Sequence, residues 1–242
     1  MKQWYNKLFL NDIRKAVEKY SLIENGDNLL IGLSGGKDSI FLVYALKLLR
    51  DYSYLNFNMT GIHIDIGINI DMFNVERYLK SIDIPYMYEN INIKDKIFNN
   101  KKSPCYLCAK MKRGAIARIS KEKGFNKIVY GHHMTDVVNT FLLNIIYTGQ
   151  FHTFKPNSYN EKHNLHLIRP LIYIKEDIIQ KVVIDENLPL GIGKLCPQDK
   201  DNKRKEMEKL INYIKVKYPD FEEKAIKAIE STNKLTLWCQ AP

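Results

Sequence analysis

Cysteine is scarce in this 242-residue chain: it has four, too few for the disulfide framework of a small secreted domain. Long apolar stretches are missing as well. No run reaches the about 18 residues that a membrane-spanning helix needs. Met1-Lys2-Gln3-Trp4-Tyr5-Asn6-Lys7 has neither the apolar core nor the small-residue cleavage site of a signal peptide. These absences lead to the expectation of a cytoplasmic protein with no membrane association. Internal repeats and low-complexity segments are also absent, which argues against a repeat architecture. Acidic residues are in deficit: 27 Asp and Glu against 37 Lys and Arg leave a net charge of +10. That surplus favours a polyanionic partner, nucleic acid or an anionic membrane surface, with plainly solvated lysines as the alternative. An apolar content of 45% and a charged content of 26% are ordinary for a globular chain long enough for one substantial core.

What is present is concentrated near residue 35. The apolar run Leu29-Leu30-Ile31 leads into Gly32-Leu33-Ser34-Gly35-Gly36-Lys37-Asp38-Ser39. The pattern predicts a strand, an anion-cradling turn and a helix. Glycines permit close backbone approach, the helix N-terminus supplies partial positive charge, and Lys37 adds a full one. A Walker A loop would need a glycine where Ile31 stands and Ser or Thr where Asp38 stands, and no dinucleotide Gly-x-Gly-x-x-Gly is formed. Ser34-Gly35-Gly36-Lys37-Asp38-Ser39 instead resembles the PP-loop of the ATP pyrophosphatases. Those enzymes split ATP between its α and β phosphates and adenylate a carbonyl oxygen.

Apolar spacing predicts an N-terminal amphipathic helix over 1–26, strands near 28–33, 59–65, 86–91, 127–132 and 165–168, and helices near 38–51, 72–82, 107 onward, 136–147, 174–186 and 202–217. The stretch 150–165, with Pro156, Asn157, Ser158, Asn160 and Asn164, reads as loop. Alternation of this kind predicts an α/β fold, a doubly wound, mostly parallel sheet of about five strands with flanking helices. The expected organisation is the helix 1–26, a catalytic domain 27–200 and a C-terminal helical segment 201–242 packed on it. Ligands of such sheets bind at the carboxyl ends of the strands, where the loop lies. The apolar Trp4, Tyr5, Leu8 and Phe9 suggest a homodimer through the first helix.

The cysteines are unevenly placed: Cys105-Tyr106-Leu107-Cys108, then Cys196 before Pro197, then Cys239. A C-x-x-C can be a redox pair, half of a zinc site or a cluster anchor. Three thiolates with a vacant fourth position suit an iron–sulfur cluster; incidental thiols are the plain alternative. Lys110, Lys112, Arg113 and Arg118 follow on the same predicted helix, as a nucleic-acid patch or a solvated face. Gly131-His132-His133-Met134-Thr135-Asp136 ends a strand. Gly131 would let a base approach the backbone. Asp136 would belong to the rim of a nucleotide site or merely cap the strand.

In combination these pieces resemble the tRNA 2-thiocytidine synthetase family of the PP-loop superfamily. The matching residues are 34–39, Cys105-Tyr106-Leu107-Cys108 with Lys112-Arg113-Gly114, Gly131-His132-His133, Ile168-Arg169-Pro170-Leu171 and Leu195-Cys196-Pro197. The resemblance implies an adenine nucleotide α-hydrolase-like (HUP-like) fold and ATP-dependent replacement of the C2 oxygen of a tRNA cytidine by sulfur. By it, Leu33, Ser34, Gly35, Gly36, Lys37, Asp38, Ser39, Ile64, Gly131 and Asp136 would bind ATP, Asp38 standing near Mg2+. Cys105, Cys108 and Cys196 would hold a 4Fe-4S cluster that carries sulfide. Lys37, Asp38, Cys105 and Cys196 would be catalytic, and Lys110, Lys112, Arg113 and Arg118 would meet tRNA. A cysteine desulfurase is the kind of sulfur donor implied. Family members usually follow Gly-His-His with a basic residue and two acids, whereas here Met134 and Thr135 precede Asp136. Thiolation of a different base, as in 2-thiouridine enzymes, and an ATP-binding protein that does not thiolate are the rival readings.

Overall fold

The computed structural model describes residues 2, 4–68, 70–94, 97, 104–193 and 202–231, and of Cys105 and Asn202 the backbone only. These residues fall into two units, Met1–His133 with Lys155–Lys200, and Met134–Phe154 with Asp201–Pro242.

The first unit is built on a six-stranded sheet: β1 (Asn28–Gly32), β2 (Asn58–Asp65), β3 (Tyr86–Asn90), β4 (Lys127–Val129), β5 (Asn157–Asn160) and β6 (Leu165–Ile168). The strand order is β3-β2-β1-β4-β6-β5. All pairings are parallel except β5 with β6. The mostly parallel, doubly wound expectation therefore holds. The sheet gains one strand over the five expected, because β5 forms within the stretch read as loop. Leu29, Leu30 and Ile31 are fully buried, as a central strand covered on both faces requires. Here β1 pairs with β2 on one side and β4 on the other, so the order reverses at the carboxyl end of β1, where the crevice of such a fold opens.

Helices follow the sequence pattern closely. Those of the first unit are α1 (Asn11–Lys19), α2 (Lys37–Asp51), α3 (Phe73–Ser81), α4 (Pro104–Lys123) and α6 (Glu176–Asp185); α5 (Met134–Thr148), α7 (Asn202–Lys217) and α8 (Phe221–Glu230) make up the second. The expected N-terminal helix is shorter than read and opens with a π-helical turn, Asn6–Leu10. Tyr5 and Phe9 are buried there, against Tyr44 and Phe41 at ring distances of 6.3 and 5.2 Å. Those rings serve the chain's own core, which leaves Trp4 as the exposed aromatic of the four apolar residues proposed to dimerise.

The amino end of the sheet carries a buried ion pair. Lys127 Nζ lies 2.8 Å from Asp27 Oδ2, with both residues buried. Asp27 also accepts from the Glu24 N–H and from Asn126 Nδ2, each at 2.7 Å. In the second unit Asp136 accepts from Arg204 at 2.9 Å, and Lys203 stands 4.4 Å over the ring of Tyr147. No helix among the described residues is long and apolar enough to cross a membrane.

Candidate active site

The loop after β1 is held from several sides. Leu33 donates its N–H to the Ile62 carbonyl (2.8 Å) and accepts from His63 Nδ1–H at 2.8 Å. His63 is buried, and burial holds its pKa below the ordinary histidine value, so the neutral ring is the donor. Gly35 has φ +85°, a conformation L side chains rarely adopt. Gly36 caps α2 in extended conformation. Ser34 Oγ accepts from the Gly36 N–H and lies 3.3 Å from Ser39 Oγ, which in turn donates to the Gly36 carbonyl at 2.8 Å. The serines thus stiffen the turn at the positive end of α2.

Lys37 lies between two carboxylates, Asp38 at 3.0 Å and Glu176, the first residue of α6, at 2.8 Å. Burial pushes its pKa down, but hydrogen bonds to Glu176 and Asp38 prevail and hold it above the usual lysine value. Asp38 also faces His133 Nε2 at 3.7 Å. The site therefore contains a fixed cation whose partners are carboxylates that anionic oxygens would have to replace.

Two glycines are here for steric reasons. A Cβ on Gly131, just past β4, would lie 2.9 Å from the Asp38 carbonyl oxygen. What approaches Gly131 so closely is the first turn of α2, where the sequence suggested a base. A Cβ on Gly191 would lie 3.0 Å from the Gly35 Cα and 2.9 Å from Ile70 Cγ2. Gly191 donates to the Gly35 carbonyl at 2.9 Å, and Asp71 and Ile192 exchange both backbone hydrogen bonds at 2.7 and 2.9 Å. The segment that runs on toward Cys196 is thereby stitched to the loop.

The other expected residues differ in their surroundings. Ile64 is buried in the core with Leu30, Ile62 and Ile116. Its neighbour Asp65, also buried, accepts from the N–H groups of Gly67 (2.8 Å) and Ile68 (3.1 Å) and from Tyr88 Oη (2.7 Å). On α4, Cys105 and Cys108 are three residues apart, one helical turn. Cys108 is half-buried and packs against Ile66, Ile93 and Ile97. The Cys105 side chain and all of Cys196 lie outside the described residues, and no metal-binding group of three or more side chains occurs among those described. Lys110 and Arg113 are exposed and Lys112 half-buried, its charge felt by His63. Arg118 is engaged by Glu89 (2.6 Å) and Glu122 (3.0 Å). Asp136 belongs to the second unit. The sequence reading missed Glu176, Gly191 and the donor role of His63. His63 stands two residues before the carboxyl end of the apolar strand β2, which was its one legible signal.

A PP-loop domain model matches residues 6–190. The tRNA-cytidine(32) 2-sulfurtransferase of Paraburkholderia phytofirmans is 31% identical over 233 residues, covering 93% of this chain and 69% of the relative. The chain belongs to the tRNA 2-thiocytidine synthetase family of PP-loop proteins. Another sulfurtransferase of the same name, from Burkholderia cenocepacia, is 32% identical over 221 residues, with 88% of this chain and 67% of the relative covered. Among solved structures, the U34-tRNA thiolase NcsA from Methanococcus maripaludis with its 4Fe-4S cluster superimposes with a TM-score of 0.79 at 20% identity, covering 100% of this chain and 84% of that one. At that identity it attests the shared fold, and within it the loop of this family member occupies the crevice of the sheet.

Proposed function

We propose that this family member is an ATP-dependent tRNA sulfurtransferase that exchanges the C2 oxygen of an anticodon-loop cytidine for sulfur. The observation that carries the reading is the hydrogen bond from Gly191 to Gly35 (2.9 Å), which ties the chain leading to Cys196 to the nucleotide loop.

The N–H groups of Gly35 and Lys37, with the α2 dipole, would cradle the pyrophosphate part of ATP. Lys37 would exchange Glu176 and Asp38 for phosphate oxygens. Asp38 would then be released to hold Mg2+, which when bound neutralises the departing pyrophosphate. The cytidine O2 attacks the α-phosphorus, pyrophosphate leaves, and the C2–O bond becomes that of a phosphate ester. A poor leaving group has become a good one. Lys110, Lys112 and Arg113 would hold RNA phosphodiesters near this edge.

Cys105 and Cys108, one turn apart with Cys108 on an apolar cluster, fit two thiolate ligands in a low-dielectric setting. With Cys196 they would hold a 4Fe-4S cluster that, when bound, supplies the sulfur replacing that oxygen as AMP departs. A cysteine desulfurase is the class of enzyme to replenish it.

The test is nucleoside mass spectrometry of tRNA from a deletion strain, with iron and labile sulfide measured on protein purified without oxygen. Loss of 2-thiocytidine, restored by the wild type but not by Cys105→Ala, Cys108→Ala or Cys196→Ala, is the expected result. Unchanged thionucleosides would refute tRNA thiolation, and loss of a thiouridine would move the target to another base.

A further inference from the structure

Exposed apolar side chains border the nucleotide loop. Phe73, the first residue of α3, is 62% exposed, and Ile192 and Leu190 are 61% and 43% exposed. The bridge between Asp71 and Ile192 brings the two segments together, and Asp71 Oδ1 accepts the Phe73 N–H at 2.8 Å. Met72, directly before Phe73, is buried, and its Sδ would lie 3.3 Å from a Cβ on Gly35 and 3.0 Å from one on Gly191. Phe73 therefore stands one residue, about 3.8 Å along the backbone, from a side chain packed on the loop. A lone exposed apolar residue needs no explanation, but several gathered beside a site mark a binding surface.

The outward face of α3 adds positive charge to this surface. Val75 and Leu79 are buried on one side of the helix, and the spacing of Phe73, Arg77 and Lys80 places those three together on the other. Arg77 and Lys80 are exposed, and Arg77 has no hydrogen bond or ion pair among the described residues. The carboxylates close to it in sequence are otherwise placed. Asp71 holds the Phe73 N–H, and Glu76 lies on the flank toward Tyr86, where with Lys80 and Asp83 it lines a hollow. Phe73 and Arg77 are one turn apart, with about 5–6 Å between their Cβ atoms. An aromatic face and an unpaired guanidinium at that spacing match the two parts of a single-stranded nucleotide, a base and its phosphodiester. A second copy of the chain suits the surface less, since it would bring its own net charge of +10.

We infer that Phe73 and Arg77 form a docking point for one unstacked nucleotide of an RNA, its base on the Phe73 ring and its phosphodiester on Arg77. The inference rests on the proposed function and adds to it a surface distinct from the basic residues of α4. An RNA anchored here is held beside the loop at which activation takes place.

The test uses the full chain with two probes, a tRNA anticodon stem–loop and a blunt RNA duplex of equal length. Phe73→Ala should weaken stem–loop binding about 5- to 100-fold, the range of a lost base–aromatic stack, and leave duplex binding level. Phe73→Trp, which keeps a π face, should bind as the wild type does, whereas Phe73→Leu, which keeps apolar bulk alone, should not. Arg77→Ala should flatten the slope of log affinity against log salt by about 0.7. ATP affinity and thermal midpoints should stay level in all of these variants, because the altered side chains are exposed. Equal losses on both probes, or full binding by Phe73→Leu, would overturn base stacking. Wild-type stem–loop affinity in Phe73→Ala and Arg77→Ala would overturn the docking point and leave the thiolation reading intact. If that unchanged affinity came with weaker self-association, the face would be a contact between copies of the chain. A wild-type chain that binds no tRNA at all would sink the thiolation reading, and the docking point with it.

Discussion

Glu176 holds the Lys37 ammonium at 2.8 Å, so the first residue of α6 and the lysine of the nucleotide loop are one ion pair. Phosphate oxygens and this carboxylate compete for the same cation. Glu176→Gln removes the competing charge and keeps the side-chain shape. ATP should bind about 3- to 10-fold more tightly in a direct nucleotide titration, as expected for loss of one partly exposed ion pair. Weaker binding would mean that Glu176 helps to hold the nucleotide.

The close backbone contacts predict a sharp contrast between glycines. Gly131→Ala brings a methyl group to 2.9 Å from the Asp38 carbonyl oxygen. Because that neighbour is backbone, the variant should lose about 1–3 kcal/mol and much of its ATP affinity. Gly114, in the middle of α4, has nothing within 4 Å of its added Cβ. Gly114→Ala should therefore gain up to about 1 kcal/mol from helix propensity. Urea denaturation of both variants checks the pair, and equal effects would contradict the packing described.

At the far end of the sheet, Asp27→Ala would take the close, buried partner from the Lys127 ammonium and leave it the exposed Glu24 carboxylate at 3.6 Å. A loss of about 3–5 kcal/mol is expected in urea melts. Nucleotide titration of the protein that remains folded should give an unchanged affinity, because this pair lies at the amino ends of the strands and the loop at the carboxyl ends.

His63 predicts a pH dependence of stability. Burial, with a smaller contribution from the charge of Lys112, holds its pKa down against the Leu33 carbonyl and Asp65. The unfolded chain therefore takes up a proton at a pH where the folded chain still refuses it. The contribution of His63 is complete above about pH 6.5 and is lost as pH falls below it, at no more than about 1.4 kcal/mol per pH unit. Urea midpoints measured at about pH 7.5 and about pH 5.5 should show a smaller drop in His63→Asn than in the wild type. An identical drop would exclude this imidazole as its source.

Strands with a continuous apolar run were legible in the sequence, Leu29-Leu30-Ile31 above all, and the bounds Leu165–Ile168 and Asn202–Lys217 match the reading. Strand β5 was not legible, because Asn157-Ser158-Tyr159-Asn160 has the composition of a turn. Its extended form comes from pairing with β6 and from Asn157 Nδ2 donating to the carbonyls of Tyr20 and Ser21. Tertiary partners decided it. The same holds at the site. The loop is a local motif, and local motifs can be read. Glu176 and Gly191 reach it from far along the chain, and neither residue type announces a role by itself.

The stitching of Gly191 to Gly35 also bears on how the protein is made. The loop leaves the ribosome ahead of the strand-like wall at Asp71 and Ile192, which requires chain from near the end of the first unit. At about 5–20 residues per second, that interval lasts roughly 10–30 s. A nascent chain would thus have its phosphate cradle long before the wall that completes it, and nucleotide capture would become efficient only once that wall has emerged.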